Sequence, residues 1–141
     1  MLASGEDARS VHFHDLDAVA RLRRQGVGVA IVSGEDNPGG HRVADRFGIE
    51  EAVWGAKDKL AALQALTARL GVTMHETCYV GDADRDAPGL EAVGLGLAPA
   101  DATAAARAAA DRVLDAVGGR GAVAEAVTLL EQRDGRISEW S

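Results

Sequence analysis

Apolar runs of strand length alternate along this chain with segments of helical spacing, and this alternation limits the possible folds more than any other feature. Residues 27–32 form an almost continuous apolar run, which is typical of a strand buried on both faces. Residues 57–70 place leucines along one side of a helix that ends before Gly71. A repeated strand–helix order predicts an α/β fold in which helices cover both faces of a parallel sheet.

The pattern predicts six strands and six helices. The strands cover residues 8–14, 27–32, 52–54, 77–80, 95–98 and 111–114, and the helices cover residues 15–25, 41–47, 57–70, 87–92, 101–110 and 122–132. The first strand is predicted to be one arm of a hairpin that turns near residues 4–7. A length of 141 residues fits one domain over residues 1–132, followed by a loose polar tail at residues 133–141.

The overall charge and the cysteine content exclude several classes of partner. A net charge of −7 and a pI of about 5.0 argue against a nucleic-acid partner. No apolar run is long enough to predict a membrane span. The single cysteine, Cys78, lies in an apolar strand and cannot form an internal disulfide, which favours a reducing cytoplasmic location.

Two aspartates four residues apart follow the apolar strand at residues 77–80. Asp82 comes directly after Gly81 and Asp86 four residues later, at the carboxyl edge where open α/β sheets place their chemistry. The cluster is rich in oxygen and has no neighbouring His or Cys, so it fits a hard cation such as Mg²⁺. The alternative is a loop whose aspartates cap the next helix.

The order of these motifs resembles the haloacid dehalogenase superfamily. The resemblance lies in Ile31-Val-Ser-Gly34, Lys59, Gly81-Asp-Ala-Asp-Arg-Asp86 and Gly118-Gly-Arg-Gly-Ala-Val123. Within the superfamily, these motifs most resemble the small capless branch that includes 3-deoxy-manno-octulosonate 8-phosphate phosphatase and the C-terminal domain of some CMP-sialic acid synthetases. The resemblance implies a three-layer, Rossmann-like sheet without a cap domain and with an N-terminal hairpin remnant.

The resemblance also assigns roles to a phosphate-binding group of residues. Ser33 matches a hydroxyl residue that binds a phosphate oxygen, and the backbone at Gly34 approaches the anion; the alternative for Ser33 is a simple loop cap. Lys59 matches the lysine that stabilises charge on the nucleophile and the phosphoryl group. Lys57 could take that place instead, or Lys59 could be a solvated helix residue.

The remaining roles concern a metal, the substrate and assembly. Asp82 matches the Mg²⁺-binding acid, and Asp86 matches an acid that orients the lysine or the metal shell. Arg120, between glycines, could bind a sugar carboxylate or phosphate, and the alternative is an exposed arginine in a loop. In this branch the corresponding tail of one subunit closes a neighbour's active site, so the resemblance implies a homo-oligomer, most simply a tetramer. It also implies that the substrate is a small phosphorylated sugar acid or phosphate.

One departure from the family pattern affects activity. The superfamily places its nucleophile in an Asp-x-Asp motif at the end of the first strand, and here no apolar strand precedes Asp15-Leu-Asp17. The chain is therefore expected to begin inside the hairpin and to lack the first strand, the nucleophile and the general acid. The strands that end at Val32 and Val80 would then either pair directly or have another segment or subunit between them. The third alternative is that the chain is a truncated copy of a longer gene product.

Two functions follow from these expectations. The first is a Mg²⁺-dependent phosphatase of phosphorylated sugar acids whose catalysis is lost in this chain. The alternative is a non-catalytic module of the same fold that serves oligomerisation or ligand binding.

Overall fold

The fold is that of a computed structural model, which describes residues 2–4, 13–118 and 120–134. The strands are β1 (Leu2–Ser4), β2 (Ala30–Val32), β3 (Glu51–Val53), β4 (Cys78–Val80), β5 (Leu95–Ala98) and β6 (Arg112–Val113). The helices are α1 (Phe13–Arg24), α2 (Pro38–Phe47), α3 (Lys59–Leu70), α4 (Ala87–Ala92), α5 (Ala104–Ala109) and α6 (Ala122–Asp134), with a short 3-10 turn at Asp84–Asp86. The predicted alternation of strands and helices is confirmed.

The six strands form one parallel sheet in the order β3-β2-β1-β4-β5-β6. Because all strands point the same way, their carboxyl ends share one edge, and the loops after β2, β4, β5 and β6 lie along it. The predicted α/β class with a parallel sheet is confirmed.

The centre of the sheet differs from the prediction. Leu2 is in register with Ala30 of β2 on one side and with Tyr79 of β4 on the other, so β1 occupies the position that was expected to be vacant. Of the alternatives for that position, the structure shows that another segment of the same chain fills it. The reason is that β2 and β4 are buried strands whose backbone N–H and C=O groups need a hydrogen-bonded partner.

Two apolar clusters cover the two faces of the sheet and complete the three layers. One cluster joins α1 and α6 to the sheet and comprises Ala18, Leu22, Cys78, Val80, Leu97, Leu114, Ala122, Ala126, Val127 and Leu130. The other joins α3, α4 and α5 and comprises Ala30, Val32, Ala56, Leu63, Leu66, Tyr79, Leu90, Val93, Ala98, Ala102 and Ala106. The pleat of β4 thus sends Cys78 and Val80 to one face and Tyr79 to the other.

Side-chain caps set the helix starts that the pattern misplaced. Helix α2 begins at Pro38 rather than at residue 41, because the Asn37 side chain accepts a hydrogen bond from Gly40 N at 2.8 Å. Helix α3 begins at Lys59 rather than at residue 57, because Asp58 accepts from Ala61 N at 3.0 Å.

The predictions for the two termini are only partly testable. Residues 13 and 14 begin α1, so the predicted strand over residues 8–14 is wrong there, and residues 8–12 lie outside the described residues. Residues 133 and 134 end α6 instead of belonging to a loose tail, and the rest of that tail also lies outside the description. None of the helices in the described ranges has the length and apolar character that a membrane span requires.

Candidate active site

The Asp86 carboxylate is the best-connected polar group at the carboxyl edge of the sheet. It is fully buried, and its Oδ1 accepts a hydrogen bond from Lys59 Nζ at 2.9 Å and another from the Tyr79 hydroxyl. Its Oδ2 accepts the backbone N–H groups of Asp82 and Ala83, each at 3.0 Å. Four donors satisfy the two oxygens of this buried carboxylate, which in turn holds the Lys59 side chain in place.

The backbone after β4 has to bend tightly for Asp86 to reach this position. The 3-10 turn at Asp84–Asp86 closes with Asp86 N donating to Ala83 O at 2.9 Å, which folds the side chain back over the start of its own loop. A Cβ placed on Gly81 would lie 2.6 Å from Asp86 Cβ and 2.8 Å from its Cγ. Glycine is therefore required at position 81 by the close approach of the Asp86 side chain.

The structure distinguishes the two lysines that the sequence left as alternatives. Lys59 opens α3, is 1% exposed and forms an ion pair with Asp86, whose side chain is likewise shielded from solvent. Lys57 precedes the Asp58 cap and is exposed. Only Lys59 therefore lies within the hydrogen-bonded group that surrounds Asp86.

Ser33 and Gly34 follow β2 and are both buried. Ser33 Oγ accepts a hydrogen bond from Glu35 N at 3.2 Å, so the loop-cap alternative is observed. This contact uses the hydroxyl oxygen as an acceptor, so the hydroxyl proton can still be donated to an anion. Ser33 O also accepts from Ala56 N at 2.9 Å, and this bond ties the segment that leads into α3 to the end of β2.

Asp82 lies at the end of β4 beside Asp86 and is half-buried. Its backbone oxygen accepts from Thr103 N at 2.9 Å, which links this loop to the turn before α5. Asp84 is exposed, and both Asp86 oxygens already accept two hydrogen bonds. Within the described ranges, no group of three or more His, Cys, Asp or Glu side chains is arranged to hold a metal ion.

Arg120 lies in the loop that follows β6, at the same edge but two strands beyond β4. Its side chain is exposed, whereas Ser33, Lys59 and Asp86 are buried. Gly118 N donates to Asp101 Oδ1 at 3.0 Å, so the loop that carries Arg120 is held against the end of β5. The structure thus joins Lys59, Asp82 and Asp86 by direct contacts and leaves Arg120 at a separate point of the edge.

Sequence reasoning missed two polar side chains that support this edge. Tyr79 carries the one hydroxyl on β4 that reaches Asp86, and a buried tyrosine in an apolar strand signals a hydrogen-bond partner. Asp15 is 2% exposed and accepts hydrogen bonds from Gly121 N and Ala124 N at the start of α6. Its partners are distant in sequence, so no local pattern would reveal them.

A third feature lies beside the Ser33 loop. The rings of His41 and Trp54 are stacked with centroids 4.1 Å apart, and His41 Nε2 lies 2.6 Å from Asp36 Oδ1. A Cβ on Gly40 would come within 2.9 Å of the Trp54 ring, so the glycine lets the indole pack against α2. His41 therefore has two side-chain partners beside this loop, Trp54 and Asp36.

Comparison with known proteins places this geometry in a family. A sequence model of the haloacid dehalogenase-like hydrolases matches residues 5–94. The 3-deoxy-D-manno-octulosonate 8-phosphate phosphatase of Haemophilus influenzae is 35% identical over 136 residues, which are 96% of this chain and 76% of that protein. The same enzyme from Salmonella typhimurium is 33% identical over 139 residues, which cover 96% of this chain and 72% of the relative.

Solved structures show the same relationship. The Moraxella catarrhalis 3-deoxy-D-manno-octulosonate 8-phosphate phosphatase, in complex with magnesium, phosphate and 3-deoxy-manno-octulosonate (KDO), superposes with a TM-score of 0.85 at 27% identity, covering 93% of this chain and 75% of that one. The cobalt-bound Haemophilus influenzae phosphatase gives a TM-score of 0.84 at 34% identity, covering 92% and 75%.

The chain belongs to the haloacid dehalogenase-like hydrolase family. Within that family it is a phosphatase-like protein related to the 3-deoxy-D-manno-octulosonate 8-phosphate phosphatases. The predicted superfamily and branch are confirmed.

Proposed function

We propose that this chain carries the phosphate-binding part of a Mg²⁺-dependent phosphatase site for a small phosphorylated sugar acid. The observation that supports this most directly is the buried Lys59–Asp86 pair, which holds an ammonium group at the carboxyl edge of the sheet. Ser33 donates its hydroxyl proton to a phosphate oxygen, and the backbone at Gly34 binds a second oxygen. Lys59 then neutralises charge on the bound phosphate, and Asp86 holds that ammonium in position.

The proposed substrate class is supported by the relatives. The Moraxella catarrhalis enzyme was solved with phosphate and KDO, which together correspond to the two products of hydrolysing a phosphorylated sugar acid. In this chain Arg120 supplies a planar guanidinium that can bind the carboxylate or phosphate of such a molecule through two parallel hydrogen bonds. Local positive groups are necessary here because the net charge of −7 repels an anionic substrate.

The metal is proposed to bind weakly. Asp82 is the described side chain best placed to hold Mg²⁺, while Asp86 serves as the acid that orients Lys59. When bound, Mg²⁺ would neutralise part of the charge on the phosphate oxygens. Because Mg²⁺ needs several oxygen ligands and one carboxylate supplies few of them, we expect phosphate to bind this chain more tightly than Mg²⁺ does.

Assembly and location are also proposals. A homotetramer is supported by the resemblance to the capless branch, in which a neighbour's tail completes the site. Light scattering at micromolar concentration should show the tetramer, and a monodisperse monomer would contradict it. A cytoplasmic location is supported by the single cysteine, Cys78, which is buried within β4.

Calorimetric titration with inorganic phosphate tests the proposed site. Lys59→Ala should weaken phosphate binding by about tenfold or more, because it removes a buried charged donor. Lys57→Ala is the matched control, since this lysine is exposed two positions away, and it should change the affinity by less than about twofold. Equal affinities of both variants for phosphate would contradict the assignment of Lys59.

A further inference from the structure

Asp15 is a buried carboxylate that the proposed chemistry does not use. It lies in the first turn of α1 and is 2% exposed, and its Oδ1 accepts from Ala124 N at 2.8 Å. Its Oδ2 accepts from Gly121 N at 3.2 Å. Both donors belong to the start of α6, where the helix dipole also favours a negative charge.

The contact joins two helices whose first turns lie at the same edge of the sheet. Helix α1 runs back towards the amino edge before β2, and α6 follows β6, so both begin at the carboxyl edge. Further along the two helices, Arg21 Nη2 donates to Glu131 Oε1 at 3.0 Å. Ala18 and Leu22 of α1 belong to the same apolar cluster as residues of α6. Asp15 is thus one fixed point of a continuous interface.

Arg120 lies between two backbone groups that aspartates hold. Gly118 N, two positions before it, donates to Asp101 at 3.0 Å, and Gly121 N, directly after it, donates to Asp15 at 3.2 Å. In the same loop, Ala116 N donates a hydrogen bond to Glu125 Oε1 at 2.8 Å. An exposed arginine in a glycine-rich loop would ordinarily sample many positions, but here Gly118 and Gly121 are each held by a hydrogen bond to an aspartate.

We propose that Asp15 is a positioning residue that holds the backbone of Arg120 at the carboxyl edge, so that the guanidinium meets an anionic substrate. This inference rests on the proposed substrate-binding role of Arg120. Asp15 does not touch the substrate; it acts through the Gly121 and Ala124 N–H groups. Fixing the loop beforehand lowers the conformational cost of binding, because less backbone freedom is lost when the ligand arrives.

A double-mutant cycle tests the coupling, with KDO as the probe and calorimetry as the readout. Arg120→Ala should weaken KDO binding by about tenfold, and Asp15→Asn by about fivefold. In the Arg120→Ala background, Asp15→Asn should add less than about twofold, because the residue through which it acts is gone. Asp17→Asn is the matched control, since Asp17 is exposed on the same helix and its substitution removes the same charge as Asp15→Asn.

The outcomes separate the inference from the function it rests on. If Arg120→Ala binds KDO as tightly as the wild-type chain, or if the wild-type chain binds none, the proposed role of Arg120 fails and the inference falls with it. If Arg120→Ala weakens binding while Asp15→Asn does not, or does so equally in both backgrounds, only the inference is overturned. An effect of Asp17→Asn equal to that of Asp15→Asn would overturn it too.

Hydrogen exchange of the wild-type chain gives a readout that needs no variant to fold. The Ala124 amide should exchange slowly, because its hydrogen is donated to the buried Asp15 carboxylate. In Asp15→Asn the exchange of the Gly121 and Ala124 amides should accelerate about tenfold or more, whereas Asp17→Asn should leave it unchanged. Rapid exchange of the Ala124 amide in the wild-type chain would overturn the proposed contact.

Discussion

Lys59 Nζ donates to Asp86 Oδ1 at 2.9 Å, with both side chains fully shielded from solvent. An ion pair of this kind is costly to bury, and it persists only where further hydrogen bonds satisfy the remaining polar atoms. Here the Tyr79 hydroxyl and two backbone N–H groups supply them. The pair joins helix α3 to the loop after β4, so the geometry of the site and the stability of the fold depend on the same contact.

Lys59→Met should lower the free energy of unfolding by about 3–5 kcal/mol, because it leaves the Asp86 charge buried without an opposing charge. Urea denaturation near pH 7 measures the difference. Lys57→Met is the control, since that exposed side chain should contribute within about 0.5 kcal/mol. Similar losses in the two variants would show that the buried pair does not stabilise the fold.

Tyr79→Phe removes one donor from Asp86 Oδ1 and keeps the ring in the core. We expect the free energy of unfolding to fall by about 1.5–3 kcal/mol, as for other hydrogen bonds to a charged group, and phosphate binding to weaken with it. Thr67→Val serves as the control for a buried hydroxyl outside the site, because Thr67 Oγ1 donates to Gln64 O at 3.1 Å. Unchanged phosphate binding by Tyr79→Phe would mean that Asp86 is held well enough by the other donors.

Local sequence pattern was sufficient where an element carries its own signals. Helix α4 at Ala87–Ala92 and strand β5 at Leu95–Ala98 have the bounds that the pattern predicts, since Pro88 marks the first turn of the helix and an apolar run defines the strand. The acidic motif at Asp82 likewise came from local pattern, because it follows such a strand, whereas the roles of Ser33 and Lys59 came from the family resemblance.

The pattern failed where distant residues decide the structure. The segment Leu2–Ser4 is a strand because β2 and β4 pair with it from both sides, and nothing in its own short sequence requires that. The Asp15 contacts with α6 cross more than one hundred residues of sequence. The partner of Tyr79 depends on which face of the sheet the pleat of β4 presents to the Asp86 loop, and that register is fixed only by the assembled sheet.

Gly81→Ala should disturb the site by crowding. The added Cβ would lie 2.6 Å from Asp86 Cβ, so the Asp86 side chain must move away from its four donors. We expect a loss of about 1–3 kcal/mol in the free energy of unfolding and weaker phosphate binding, because Lys59 loses its fixed partner. Gly28→Ala is the matched control, since a Cβ there meets no atom of the described residues within 4 Å. A phosphate affinity unchanged by Gly81→Ala would contradict this account of Asp86.

The 141-residue chain should release phosphate from 3-deoxy-manno-octulosonate 8-phosphate at least about 10³-fold more slowly than the Haemophilus influenzae relative. The reason is that the central strand β1 is followed in sequence by Gly5-Glu6-Asp7 and not by the Asp-x-Asp motif that the family resemblance implies there. The proposed phosphate-binding residues Lys59 and Ser33 would then polarise phosphate without that aspartate nucleophile to accept it. A phosphate-release assay with Mg²⁺ measures the rate. Rapid Mg²⁺-dependent release that Asp82→Asn abolishes would prove this wrong and would assign the nucleophile to another carboxylate.

Glu131→Gln should make stability less dependent on pH in acid. The Glu131 carboxylate accepts a hydrogen bond from Arg21, and a weaker contribution comes from the one donated by Gln25. Together they hold the pKa of the Glu131 carboxyl below its usual range. A depressed pKa in the folded state stabilises the protein above the unfolded-state pKa of glutamate, and this contribution is lost as the pH falls through the lower, folded-state pKa. Because the pair is partly exposed, we expect Glu131→Gln to lower the free energy of unfolding by about 0.5 kcal/mol near pH 7 and not at all in strong acid. Urea denaturation across that pH range measures the difference.

Glu91→Gln is the control, because Glu91 is exposed on α4, and it should show no such pH-dependent difference. A loss for Glu131→Gln that persists undiminished in strong acid would exclude ionisation of Glu131 as its cause.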